Sequence, residues 1–176
     1  MIDLNKEVSF SRIGFSSWTA FDYARTYYHK FKEQHKLLDG ISEDEDPSEY
    51  LDIAIKMDEY GTITVILAVI CIEALIYEYA AINLSDSYAK KYLENLNICS
   101  KWVVIPKLVT GKAFPVEKQG YEQLKKLVKY RNSLVHTKTA PYDPNIKYDI
   151  EGTKDKLIYI VENTLKTIRL LGRGFI

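Results

Sequence analysis

Arg131, Asn132 and His136 are the side chains of this 176-residue chain whose types and spacing could carry out chemistry. A histidine has an ordinary pKa of about 6.5, so it can accept a proton at neutral pH. An arginine can hold a phosphate group through paired hydrogen bonds and stabilise charge that develops there. Because RNA carries its own nucleophile, the 2′-hydroxyl, such a pair could cleave RNA without a metal ion. Asn132 could orient either the histidine or the phosphate.

The position of Arg131 within its helical pattern is unusual. The pattern starts near Glu117, and its apolar residues follow the i, i+3, i+4, i+7 spacing of a helix face turned to a core: Leu124, Leu127, Val128, Leu134 and Val135. Arg131 falls near the middle of this stripe. A guanidinium there is costly unless it is paired or reaches a wet pocket. Two interpretations stay open, since Arg131 is either half of a buried ion pair or part of a site.

The helical geometry also bears on how these side chains could act together. Asn132 and His136 are four positions apart and share one flank of the helix. Arg131 and His136 differ by five positions, which is about 140° around the axis. They therefore do not sit side by side by default, although a long arginine can reach round or a second copy of the helix can supply the partner. Lys129 and Lys138 add positive charge.

The remaining patterns are also helical, and no alternating strand pattern appears. Gly61 is expected to interrupt or kink one helix and Pro106 to kink or end another, while Thr153 is expected to cap the last one. We predict an all-α, single-domain helical bundle of about five main helices over residues 1–176, with an irregular segment at 1–15 and a loop at 139–152. The expected helices are Trp18 to about Leu38, a pattern opening at Ser48, Ile63 to Leu84, Tyr88 to Leu96, Ile98 to Leu108, Tyr121 to His136, and the segment after Thr153.

The stretch from Ile63 to Leu84 is the most apolar of the chain and long enough to cross a membrane. However, it contains Glu73 and Glu78, and a charge near the bilayer centre costs about 2.5–3.5 kcal/mol even on the lenient insertion scale. We therefore predict a buried central helix and no membrane association. Glu73 has apolar neighbours and needs a cation, so we expect it to pair with Arg131; the alternative is that Glu73 lies at a polar rim.

Charge and cysteine content point to a cytoplasmic protein that favours a polyanion. Residues 39–60 contain nine acids and one base, whereas residues 86–138 contain eleven bases and four acids. The half with Arg131 and His136 is thus the basic half, although oppositely charged solvated faces would give the same pattern. Cys71 and Cys99 lack CxxC spacing, which favours buried reduced thiols, and no signal peptide is apparent. No phosphate-binding loop or metal-ligand spacing occurs, so we expect neither cofactor nor metal.

The segment from Arg131 to His136 resembles the Arg-x4-His signature of the HEPN superfamily. The resemblance extends to Trp102–Leu108, to Gly111-Lys112 with the following Leu124–Leu127, and to an apolar helix carrying a glutamate, Ile72–Leu75. It covers about Ile63 to Lys138. One position departs from the pattern of related sequences, since the polar Asn that often follows the glutamate four residues later is replaced by Tyr77.

The resemblance implies a small helical bundle of the kind found in metal-independent ribonucleases of toxin–antitoxin, abortive-infection and CRISPR systems. Such domains usually dimerise, so that two motifs face each other in one cleft. By this resemblance Arg131, Asn132 and His136 are the catalytic residues. The supporting or RNA-binding residues are Glu73, Lys129 and Lys138. The implied partners are RNA, a second copy of the chain, and an antitoxin or operon partner protein. The alternative is a non-catalytic HEPN-fold module that binds nucleotides or mediates protein interaction or dimerisation.

Overall fold

The computed structural model describes residues 16–41, 46–135 and 150–173, which form helices around one hydrophobic core. Five helices in these ranges are longer than ten residues, and no strand occurs among them. This confirms the predicted all-α, single-domain bundle of about five main helices. The predicted irregular segment at 1–15 lies outside the described residues. The helices are α1 (Ser17–Gly40), α2 (Pro47–Leu84), α3 (Asp86–Tyr88) continuing into a π-helical turn (Ala89–Leu93), α4 (Ile98–Thr110), α5 (Gln119–Val135) and α6 (Ile150–Arg173).

Helix α2 is the centre of the bundle. Its 38 residues correspond to a length of about 57 Å, and α1, α4, α5 and α6 all pack against it. Val65, Ala68, Ile72 and Ile76 are completely buried in this packing. Among the described residues, α2 is also the one helix long and apolar enough to cross a membrane, and a single such helix is weak evidence because core helices of soluble proteins pass the same test.

Gly61 does not interrupt α2, which was one of the two predicted outcomes, because the helix runs through it from Pro47 to Leu84. A Cβ atom at this position would lie 3.1 Å from the Phe31 side chain and 3.2 Å from those of Leu157 and Val161. Phe31 belongs to α1, and Leu157 and Val161 belong to α6. The glycine therefore lets three helices approach closely, and this packing outweighs the cost of about 1 kcal/mol that glycine adds within a helix.

Two other helix boundaries also differ from the prediction. Helix α4 continues through Pro106 to Thr110, and Thr110 donates a side-chain hydrogen bond to the Pro106 carbonyl at 2.8 Å. Pro106 is buried, so its ring packs into the core although it removes one helical N–H donor. Helix α6 begins at Ile150, so Thr153 lies within the helix rather than capping it, and the predicted loop ends before residue 152. Its remaining predicted residues, 139–149, lie outside the described residues.

The helix directions bring the C-terminal end of α5 beside the first turns of α6. A Cβ atom on Gly120, at the start of α5, would meet Leu170 near the end of α6 at 3.2 Å. At the other end, the Lys156 ammonium of α6 lies 5.5 Å from the centre of the Tyr130 ring. The two helices are therefore antiparallel. Arg131 and Asn132, in the last turns of α5, are held at the end of the bundle where α6 starts.

Replacing Gly61 by valine should destabilise the protein by about 1–3 kcal/mol, because the new methyl groups would press on three core side chains. Urea unfolding followed by circular dichroism measures the change as a lower midpoint at an unchanged slope. The matched control is Gly40→Ala, since a Cβ there meets no atom within 4 Å. Equal stability of Gly61→Val and the parent chain would contradict this account of α2.

Candidate functional site at the end of helix α5

The buried side of α5 is formed mainly by the residues that the spacing predicts. Leu124 and Leu127 are buried as expected, and Val128 and Leu134 are half-buried. Two positions differ from the prediction. Tyr130, which the apolar pattern missed, is only 8% exposed, whereas Val135 at the last position of α5 is 45% exposed. The core-facing side of α5 therefore contains a buried tyrosine, Tyr130, at the end where Arg131 lies.

Arg131 is half-buried on this stripe. Its Nε atom is enclosed and makes no hydrogen bond to the described part of the chain. Buried side-chain donors almost always have a partner, and leaving one unpaired costs about 1–3 kcal/mol. This arginine thus holds an N–H group without a partner among the described residues, in a half-buried position.

The predicted pair between Glu73 and Arg131 is wrong, because Glu73 pairs with a different cation. The Lys101 ammonium of α4 donates to the Glu73 carboxylate at 2.6 Å. The Lys101 side chain is only 4% exposed, whereas that of Glu73 is 42% exposed. The carboxylate thus lies at the edge of the core, where it also reaches solvent.

The sequence does contain a signal for this pair that the prediction missed. The buried residues of α4 are Ile98, Lys101, Trp102 and Ile105, with Pro106 following. These positions repeat the i, i+3, i+4, i+7 spacing, with a lysine on the apolar stripe. Lys101 is therefore a second cation on a core-facing stripe, equivalent in pattern to Arg131. Pattern alone could not decide which of the two cations meets Glu73.

Glu78, the other carboxylate of the apolar stretch from Ile63 to Leu84, also has a specific partner. The Ser17 backbone N–H donates to one of its oxygens at 2.9 Å, and the Ser17 hydroxyl donates to the other at 2.6 Å. Ser17 is the first residue of α1, so Glu78 satisfies a free N–H group and places negative charge at the positive end of that helix. Both carboxylates in the apolar stretch therefore serve to join α2 to a neighbouring helix.

Tyr130 packs between α2 and α6 next to the candidate site. Burial and the nearby Asp58 carboxylate of α2 raise the pKa of the Tyr130 phenol above its ordinary value. Lys156 of α6 lies over the ring of this tyrosine. Tyr130 therefore stays protonated at neutral pH, so it can donate a hydrogen bond but cannot serve as a general base.

The structure brings together three of the predicted site residues on the last two turns of α5. Lys129 and Asn132 are exposed, and Arg131 lies between them with its partly enclosed guanidinium. His136 and Lys138 lie outside the described residues. Glu73 is held by Lys101 of α4. Tyr77, the position that departs from the HEPN pattern, is half-buried on α2.

Neither cysteine has the environment of a nucleophile. Burial raises the pKa of the Cys71 thiol to about 12, and burial also raises the pKa of the Cys99 thiol. Both thiols therefore stay protonated at neutral pH, and the thiolate is the reactive form. The described residues contain no group of three or more histidine, cysteine, aspartate or glutamate side chains that could hold a metal ion.

The chain matches no protein-family model, no curated protein and no solved structure.

Glu73→Gln should lower the free energy of unfolding by about 1–3 kcal/mol, because it leaves the Lys101 ammonium buried without its counter-charge. The expected decrease is modest because Glu73 is partly exposed. Adding Lys101→Met should recover most of it, since both charges are then removed. Urea titration of the parent chain, the two single variants and the double variant gives the coupling energy.

The matched control is Glu162→Gln. Glu162 pairs with Lys32 at 2.9 Å, but both side chains are more than 40% exposed, so the change should stay within about 1 kcal/mol. If Glu73→Gln proved as mild as this control, or if Lys101→Met brought no recovery, the role assigned to the Glu73–Lys101 pair would be wrong.

Proposed function

We propose that this chain is a HEPN-type, metal-independent RNA endonuclease in which Arg131 and His136 act in a cleft formed by two copies of the chain. The observation that carries the proposal is the environment of Arg131. Its Nε is enclosed without a hydrogen bond to the described residues, and the carboxylate that could have made it a structural ion pair is taken by Lys101. The half-buried arginine has no carboxylate partner among the described residues, which supports the proposed role of its guanidinium in holding a phosphate group.

The proposed reaction assigns one task to each residue. His136 accepts the proton of the RNA 2′-hydroxyl, whose oxygen attacks the adjacent phosphorus. The bond from phosphorus to the 5′-oxygen then breaks, and this oxygen takes up a proton from solvent. Arg131 stabilises the negative charge that builds on the phosphate oxygens, and Asn132 orients the histidine or the phosphate. The products are a 2′,3′-cyclic phosphate and a 5′-hydroxyl.

The dimer in this proposal follows from the geometry of one helix. Arg131 and His136 are five positions apart in the sequence, a spacing that corresponds to about 140° in helical geometry, so the two side chains would act most easily on one phosphate when they come from different copies. Lys129 and Lys138 would add positive charge beside the cleft, and Glu73 would support the fold through its pair with Lys101 of α4. A cytoplasmic role in a toxin–antitoxin or phage-defence system, with an antitoxin or operon partner protein, belongs to the same proposal.

An RNA-cleavage assay in EDTA tests the proposal. The parent chain should cut RNA and leave cyclic-phosphate ends, because the reaction needs no metal ion. His136→Ala should reduce the rate by about 10²–10⁴-fold, the contribution typical of a positioned general base. Product ends are identified by mass spectrometry, and circular dichroism verifies that the variant retains its helical content.

His29→Ala is the matched control, because His29 is an exposed histidine on α1 and should leave cleavage unchanged. Cleavage by His136→Ala at the parent rate would refute the assignment of the base. Absence of cleavage by the parent chain would favour the non-catalytic nucleotide-binding or dimerisation module instead.

A further inference from the structure

Tyr159 of α6 is a large aromatic side chain left open to solvent beside α5. It is 44% exposed. The Gln123 amide of α5 donates to its hydroxyl at 3.2 Å, and the Lys126 ammonium lies 5.5 Å from the ring centre. The ring is thus fixed in place by α5 although much of its surface is open. An exposed ring held in one orientation loses little entropy when a planar group stacks on it.

The charges around Tyr159 are positive. The hydrogen bond from Gln123, followed by the ammonium of Lys126 and then the charge of Lys166, lowers the pKa of the Tyr159 phenol below its ordinary value. On the same side of α5, Lys129 is also exposed. A stacking surface bordered by several ammonium groups matches the two parts of an unpaired nucleotide, its base and its phosphate.

The acidic side chains of α5 and α6 do little to cancel this charge. Glu122 pairs with Lys125, and Glu162 pairs with Lys32 of α1. Asp155 is the remaining acidic group among the described side chains of these two helices, and it is exposed. Basic residues outnumber these acids, and those with described side chains are Lys125, Lys126, Lys129, Arg131, Lys154, Lys156, Lys166 and Arg169.

We propose that the exposed face formed by Tyr159, Lys126, Lys129 and Lys166 binds single-stranded RNA, with one base stacked on Tyr159 and the lysines contacting phosphates. Lys126 precedes Arg131 by five residues, which is about 7.5 Å along the axis of α5 and about 140° around it. The face therefore lies on a different side of α5 from Arg131, and a strand bound to it can continue past Lys129 toward the end of the helix. Cleavage of the bound strand rests on the proposed function. Binding of the strand does not, since stacking and phosphate contacts require no cleavage.

Fluorescence anisotropy with a labelled 20-nucleotide single-stranded RNA carrying 2′-O-methyl groups tests this surface. The probe cannot be cut because its 2′-oxygens are blocked, so binding is measured separately from catalysis. Tyr159→Ala should weaken binding by about 5- to 100-fold, as expected when one base can no longer stack. Tyr159→Phe should lose much less affinity than Tyr159→Ala, because the ring is kept and only the hydroxyl, with its hydrogen bond from Gln123, is removed.

Tyr92→Ala is the matched control for the aromatic residue. Tyr92 is 56% exposed and also has a lysine over its ring, with the Lys91 ammonium 5.0 Å from the centre, but it lies in the turn after α3. The Tyr92→Ala variant should therefore bind RNA as tightly as the parent chain.

Lys126→Gln should reduce the slope of log affinity against log salt by about 0.7. This is the change expected when the protein neutralises one phosphate fewer on a single strand.

Three results would overturn the inference: parent-like binding by Tyr159→Ala, equally weakened binding by Tyr159→Ala and Tyr92→Ala, or equal affinity for the single strand and for a duplex of the same sequence. A duplex hides its base faces, so the parent chain should bind it about tenfold more weakly than the single strand. Failure of the proposed catalysis gives a different pattern, since the parent chain and His136→Ala would both bind the probe while neither cuts natural RNA.

Discussion

The close contact at Gly61 is the constraint on which the other packing in this bundle depends. Helix α2 is apolar on most of its surface and must be covered by neighbours, and at Gly61 the side chains of α1 and α6 come within about 3.2 Å of where a Cβ would be. This contact sets how near α1 and α6 lie to the central helix. Since α5 packs against both α2 and α6, it also sets where the end of α5 is held.

Charged groups then fix the neighbours of α2 at particular positions along its length. Apolar contacts between helices are tolerant of sliding, whereas a buried ammonium or a helix N-terminus has few acceptable partners. Glu73 accepts from Lys101 of α4, and Glu78 accepts from Ser17 of α1. The two carboxylates therefore specify the register of two helices. The cost of burying these two carboxylates disfavours a membrane span. The same cost makes each of them require a specific partner inside the bundle.

The end of α5 differs from the rest of the core because its polar groups are not all satisfied. Lys101, although more deeply buried than Arg131, has a carboxylate within hydrogen-bond distance, whereas the enclosed Nε of Arg131 has no such partner among the described residues. The contrast separates a buried cation with a counter-charge from a half-buried one that has none among the described residues. The proposed RNA surface lies on another side of α5, where Lys126 and the neighbouring lysines border the exposed ring of Tyr159.

The sequence by itself determined the class of fold, because apolar spacing of 3.6 residues marks each helix and the side that it buries. It also located Arg131 on a core-facing stripe and made Leu124 and Leu127 core residues. Only the tertiary structure decided which cation meets Glu73, because Arg131 and Lys101 occupy equivalent positions in their patterns and the choice depends on how α4 and α5 cross α2. The same holds for Gly61, whose local preference predicts a break while its three neighbours require a glycine inside a continuous helix. Helical periodicity depends on residues that are close in the sequence. Which side chains meet between helices depends on how segments that are distant in the sequence pack against each other.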